Sequence, residues 1–152
     1  WTLGLWFQGK DPQARDRNQR AVLGAAIALG FANLAVLLLN QQVFRDRPIA
    51  HHELANLLYA PTDSSLPANP AAVAFALAMG VWLGNRRAGL PLFFLAGLWS
   101  FVRVYNGLFF PSDVFAGGLI GAAVACLVNL GLRAIEPVPT WVLKGARLLD
   151  LA

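Results

Sequence analysis

Four apolar runs, separated by short charged or proline-rich breaks, leave this chain little choice of solvent. Ala21 to Leu39 carries no charged residue. At 1.5 Å per residue it is about long enough to span the hydrocarbon of a bilayer. Ala71 to Gly84 follows and is stopped by Asn85-Arg86-Arg87. Leu90 to Phe110 is interrupted only by Ser100, Arg103 and Asn106, and Pro111 ends it. Val114 to Leu132 is stopped by Arg133. Such blocks predict an all-α, polytopic transmembrane bundle, since helices satisfy every backbone polar group within one segment. Composition agrees. Hydrophobic residues make up 57% and charged residues 13%, against about 45–50% and about 25% in soluble domains.

The remaining segments fill in the organisation. Trp1 to Phe7 is apolar and aromatic and reads as the end of a first helix that begins before the sequence does. Residues 8–20 read as a charged loop. Residues 41–67 are mixed, broken by Pro48, Pro61 and Pro67, with a short surface helix expected over His52 to Tyr59. From Pro137 to Ala152 apolar and charged residues alternate at helical spacing, as in an amphipathic helix lying on a membrane. The expectation is one integral-membrane domain over 1–152, with four spanning helices and the stub of another.

Charge sets an expected orientation. Lys10, Arg15, Arg17, Arg20, Arg86, Arg87, Arg133, Lys144 and Arg147 fall on one side of this topology, and Arg45, Arg47 and Arg103 on the other. Basic loops stay inside. The turn at 85–89 and the C-terminus are therefore expected in the cytoplasm, in a bacterial cytoplasmic membrane. The same partition explains the net charge of +4 without nucleic acid as a partner. Cys126 is the single cysteine and excludes an internal disulfide. No metal or cofactor site is indicated. His51 and His52 are adjacent, and neighbouring helix positions point in different directions, so a shared ligand is not expected. Small residues at Gly117, Gly121 and Ala125, at Gly24 and Ala28, and at Ala26 and Gly30 permit close helix approach. They would serve packing within the bundle first, and partner subunits second.

Three segments on the less basic side carry the chemistry: Arg45-Asp46-Arg47-Pro48, Ser64-Ser65-Leu66-Pro67-Ala68-Asn69-Pro70, and Arg103 through Asp113. Ionisable residues at membrane depth are costly and usually face a cavity or a partner. Two arginines near a carboxylate at the rim suit a phosphate. Interfacial ion pairing, for example Arg47 or Arg103 with Asp113, accounts for them equally well.

In order and spacing these segments resemble the phosphatidic acid phosphatase type 2 (PAP2) superfamily. Its motifs run lysine, six residues, Arg-Pro; then Pro-Ser-Gly-His; then Ser-Arg, five residues, His, three residues, Asp. Arg47-Pro48 matches the end of the first. Pro67-Ala68-Asn69-Pro70 lies at the second. Arg103 and Pro111-Ser112-Asp113 match the third. The resemblance implies a lipid-phosphatase bundle with Arg47 and Arg103 as anion-binding residues and Pro48 and Asp113 as structural remnants. It also exposes departures. Asn40 replaces the lysine, Ala68 the serine, and Pro70 and Phe109 the two histidines that protonate the leaving oxygen and attack phosphorus. Neither a proline nor a phenylalanine side chain can do that chemistry. The sequence therefore reads as a non-catalytic member, serving as an accessory subunit of a membrane complex or as a binder of anionic lipid. The alternative is an active lipid-phosphate phosphatase with another nucleophile, His51, His52 or Asp113.

Overall fold

The structure is a computed structural model that describes residues 2–7, 12–48 and 64–136. The short helix expected over 52–59, His51 and His52, and the tail from 137 lie outside those residues. Five helices follow in order: α1 (Thr2–Phe7), α2 (Pro12–Gln42), α3 (Asn69–Gly84), α4 (Arg86–Tyr105) and α5 (Pro111–Ala134). The protein is an all-α integral membrane bundle. Three helices, α2, α4 and α5, are long and apolar enough to cross a membrane. With 16 residues, α3 reaches roughly 24 Å, short of a hydrocarbon core of about 30 Å.

The charged stretch before residue 21 is helical from Pro12 onward, not a loop. Gln, Ala and Arg are good helix formers, and proline suits a first turn. Arg20 Nε donates to Asp16 Oδ2 at 2.9 Å one turn back. The 31 residues of α2 extend about 46 Å, so its charged turns stand clear of the hydrocarbon.

Packing is organised around α3, whose Ala71, Ala72, Ala76, Ala78, Gly80 and Val81 are buried. It is held closely from two sides. A Cβ on Gly117 or Gly121 of α5 would collide with the carbonyl oxygens of Ala68 and Ala72. A Cβ on Gly80 or Gly84 of α3 would collide with Ala25 and Ala21 of α2. In lipid such intimacy, not hydrophobic expulsion, drives helix association. The stripe of Gly117, Gly121 and Ala125 is thus spent inside the bundle. On α2 the inward stripe is Ala21, Ala25, Ala28, Ala32 and Val36. Ala26 and Gly30 point elsewhere: Ala26 is exposed, and a Cβ on Gly30 would meet nothing within 4 Å. In an alanine-rich helix small-residue spacing fits more than one face, and only the register against Gly80 and Gly84 selects the real one.

The two ends of the bundle differ. At one, Asn85 caps α4 by accepting from Ala88 N–H at 3.3 Å. It also donates to Asn18 Oδ1 of α2 at 2.8 Å. Arg20 pairs with Glu136 beyond α5 at this end. Both partners are over a third exposed, so the pair contributes at most about 1 kcal/mol. At the other end α2 stops, α3 and α5 start, and the candidate chemistry collects.

Candidate functional site

Backbone pairing builds the frame of the site. Residues 43–48 leave α2 and run beside the segment preceding α3. Ser65 N–H donates to Arg45 O at 2.9 Å. Arg45 N–H donates to Ser64 Oγ at 3.2 Å, and that hydroxyl donates to Val43 O at 2.9 Å. Ala68 N–H then donates to Asp113 O at 3.0 Å, joining the start of α3 to the start of α5. Between α4 and α5, Gly107 takes a φ of +67°, a left-handed conformation glycine adopts without strain. The turn returns the chain inward, so that Phe109 is 3% exposed and packs with Ala68 and Ala71.

Asp113 is wholly buried in the first turn of α5. Its Oδ1 accepts from Arg45 Nη1 at 2.6 Å and from Ser112 Oγ at 3.2 Å. Its Oδ2 accepts from Ser65 Oγ. A negative charge at a helix N-terminus gains further from the helix dipole. Among the described residues the ion-pair partner of Asp113 is therefore Arg45, rather than Arg47 or Arg103. The strand-like pairing of 45 with 64–65 aims Arg45 at the carboxylate. Arg47 lies instead over the Phe109 ring, 4.2 Å from its centroid, and Arg103 over Trp99 at 4.6 Å. Each contact is a cation–π interaction worth about 0.5–2 kcal/mol according to its exposure. Asp113 binds α2's exit, α3's entry and α5 together. A carboxylate so occupied and buried is a poor nucleophile.

Beside this clamp lies a cavity of ≈190 Å³, far larger than the roughly 10–15 Å³ that one water needs. Its walls are Asn40, Arg47, Ser64, Asn69, Pro70, Arg103 and Phe109. Positions far apart in sequence thus share one small space: both arginines singled out from sequence as anion ligands, and positions 40, 70 and 109, read there as departures from the family motifs. Asp113 stands behind the wall, and Pro48 follows Arg47 in the segment that supplies it. Phe109 forms part of the wall without closing the space. The amide oxygens of Asn40 and Asn69 are buried, with no donor among the described residues, while Asn69 Nδ2 donates to Asn33 Oδ1 at 2.8 Å. Two guanidinium groups with amides and a hydroxyl are a donor set of the kind that binds anions. Among the described residues no cluster of three or more His, Cys, Asp or Glu could hold a metal.

The family model of the PAP2 superfamily matches residues 21–135. The chain belongs to the PAP2 superfamily. Undecaprenyl-diphosphatase BcrC of Bacillus subtilis (strain 168) is 29% identical over 123 residues, 80% of this chain and 60% of that protein. Putative undecaprenyl-diphosphatase YbjG of Escherichia coli (strain K12) is 29% identical over 124 residues, 81% of this chain and 60% of that protein. The chain thus spans about 60% of the length of the curated relatives it matches. No solved structure matches it.

Sequence reasoning did not assign roles to Ser64, Ser65, Asn69 and Arg45. The signal was present in part, since Ser64-Ser65 directly precedes Leu66-Pro67 in the second motif region. What sequence could not show is that Arg45, and not its neighbour Arg47, reaches the carboxylate. At the opposite end, a second polar cavity of ≈360 Å³ is lined by Arg17, Arg20, Arg133, Asp16 and Glu136 among others. Arg20 there is already engaged by Asp16 and Glu136.

Proposed function

We propose that this PAP2 protein acts on a lipid phosphate, with a polyprenyl diphosphate as the favoured class, and holds the phosphate in the Arg47–Arg103 cavity. The carrying observation is the convergence of both arginines with positions 40, 70 and 109 on one small polar space at the bundle end. Two relatives, an undecaprenyl-diphosphatase and a putative one, favour hydrolysis over the accessory-subunit role that the missing histidines suggest from sequence. Hydrolysis in this chain needs an acid other than residue 70 and a nucleophile other than residue 109. Its only two imidazoles are His51 and His52, and their segment joins Arg47 to Ser64, both of which line the cavity. The second reading is binding without cleavage, favoured by the apolar seat of Phe109 where an attacking imidazole is expected.

The test is phosphate release from undecaprenyl diphosphate by the purified chain in lipid nanodiscs. The expected result is slow release that falls roughly 10²-fold in Arg103→Ala, the scale for one lost charge-stabilising donor, and that is lost in a His51→Ala/His52→Ala double variant. Tight binding with no release establishes the second reading. Absence of both binding and release overturns the proposal.

Sidedness follows from charge. The described basic residues at the Asn85 end are Arg15, Arg17, Arg20, Arg86, Arg87 and Arg133, against Arg45, Arg47 and Arg103 at the cavity end. We place the cavity on the outer face. In a Cys126→Ser background, a membrane-impermeant maleimide added to intact cells should label a cysteine at Ser112 and leave one at Arg86 unlabelled. The reverse pattern inverts the orientation.

A further inference from the structure

The polar cavity does not end at its polar wall. Asn69 and Pro70 also form the head of an apolar groove of ≈830 Å³ between α3 and α4. The groove continues along Val73, Ala74 and Leu77 on α3, and Leu92, Leu95 and Trp99 on α4. Trp99 supplies a second junction, because its ring carries the Arg103 guanidinium that lines the cavity. The eight helical steps of α3 from Asn69 to Leu77 cover roughly 12 Å down the bundle. A different groove, between α4 and α5, is lined by Phe75, Ser100, Val104, Phe115 and Gly118 among others. It shares no wall residue with the cavity.

From this continuity we infer that the α3–α4 groove takes the hydrocarbon chain of the lipid whose phosphate sits in the cavity. This inference rests on the phosphate reading above and deepens it. The occupant must be anionic at one end and apolar beyond it, because the two spaces meet at Asn69 and Pro70 and carry opposite chemistry. A hydrophobic drive does not hold the chain there, since bulk lipid is as apolar as the groove wall. The anchored headgroup does so instead. Tethering by the phosphate raises the local concentration of the chain's first segment at the groove, as any linked second site gains from the first. The chain's route is therefore set by which groove opens onto the cavity. The remainder of a long chain leaves for the bilayer past Leu77.

The experiment uses an isoprenyl diphosphate carrying a diazirine on its chain, photolysed with the full chain in phosphatidylcholine nanodiscs and mapped by mass spectrometry. Inorganic pyrophosphate serves as the headgroup-only probe, its own binding followed by calorimetry. Crosslinks are expected on α3 and α4 between Val73 and Leu77 and between Leu92 and Trp99. Excess pyrophosphate and the Arg47→Ala/Arg103→Ala variant should each suppress them roughly tenfold. Ala74→Trp, which fills the groove, should divert the crosslinks while pyrophosphate still binds, showing that this variant is folded. Crosslinks that pyrophosphate suppresses but that fall on the α4–α5 groove leave the phosphate site standing and overturn the chain assignment. Crosslinks in the α3–α4 groove that ignore pyrophosphate identify an ordinary bilayer lipid and overturn it too. If pyrophosphate fails to bind at all, the phosphate reading itself falls.

Discussion

Asp113→Ala should destabilise the protein by about 3 kcal/mol, the lower part of the range for removing one partner of a buried, hydrogen-bonded ion pair. The lower part applies because the Arg45 side chain remains 40% exposed and can recover water. Most of the loss comes from what is left behind. Ser65 is buried and loses the acceptor for its hydroxyl, which costs about 1–3 kcal/mol by itself. The first turn of α5 loses its only acidic residue and the dipole interaction it provides. Asp113→Asn keeps the volume and one acceptor oxygen and should lose about half as much. Thermal denaturation in detergent, followed by loss of the monodisperse gel-filtration peak, orders the three proteins. An alanine variant as stable as the parent would mean that Asp113 is not the tie between α2, α3 and α5 that its contacts describe.

How far the fold was legible depends on which physical signal carried each part. Apolar runs located the helices from Ala71, Leu90 and Val114, although the run at Ala71 forms a helix shorter than the three candidate spans among the described residues. Length said nothing of residues 12–20, where helix propensity continues α2 beyond the apolar run, and the charged composition alone suggests a loop. The small-residue spacing found the true α5 stripe at Gly117 and Gly121. It failed for Ala26 and Gly30, since period-four pairs recur on any alanine-rich helix and the choice belongs to tertiary register. At the site, motif order placed Asn40, Arg47, Pro70, Arg103 and Phe109 together in expectation, and all five line one cavity. The partner of Asp113 was not legible. Arg45 and Arg47 differ by two positions in an irregular segment, and only the bonds that Arg45's backbone makes with the Ser64 hydroxyl and the Ser65 N–H decide which guanidinium turns toward the carboxylate.

Restoring the family residues one layer at a time separates the reacting groups from the cradle around them. The Pro70→His/Phe109→His variant should fold and should gain little turnover over the parent. Pro70 lies in the first turn of α3, where proline's fixed φ helps but is not required, so its loss is tolerable. Histidine at 109 brings an imidazole to the cavity wall but takes away the ring on which Arg47 rests. It would also find Asp113 already held by Arg45 and Ser65, leaving the imidazole without an orienting partner. Asn40 and Ala68 still lack the lysine charge and the hydroxyl of the family pattern. In phosphoryl transfer, positioned charge around the moving group supplies most of the rate. Adding Asn40→Lys and Ala68→Ser should therefore raise turnover by roughly 10²-fold over the double variant, on the scale of a restored charge-stabilising contact. Ala68 is fully buried and its peptide is pressed against Gly117, so the added hydroxyl needs a small local adjustment to be accommodated. Initial rates on a polyprenyl diphosphate, with gel filtration to confirm folding, compare the parent, double and quadruple proteins. Equal and vigorous rates in the double and quadruple variants would show that the cradle residues matter less than the two histidines. A well-folded quadruple variant no faster than the parent would show that the site geometry itself is not competent, with the hold of Arg45 and Ser65 on Asp113 as the first contact to test. Arg45→Gln in that background should then release the carboxylate to the imidazole at 109.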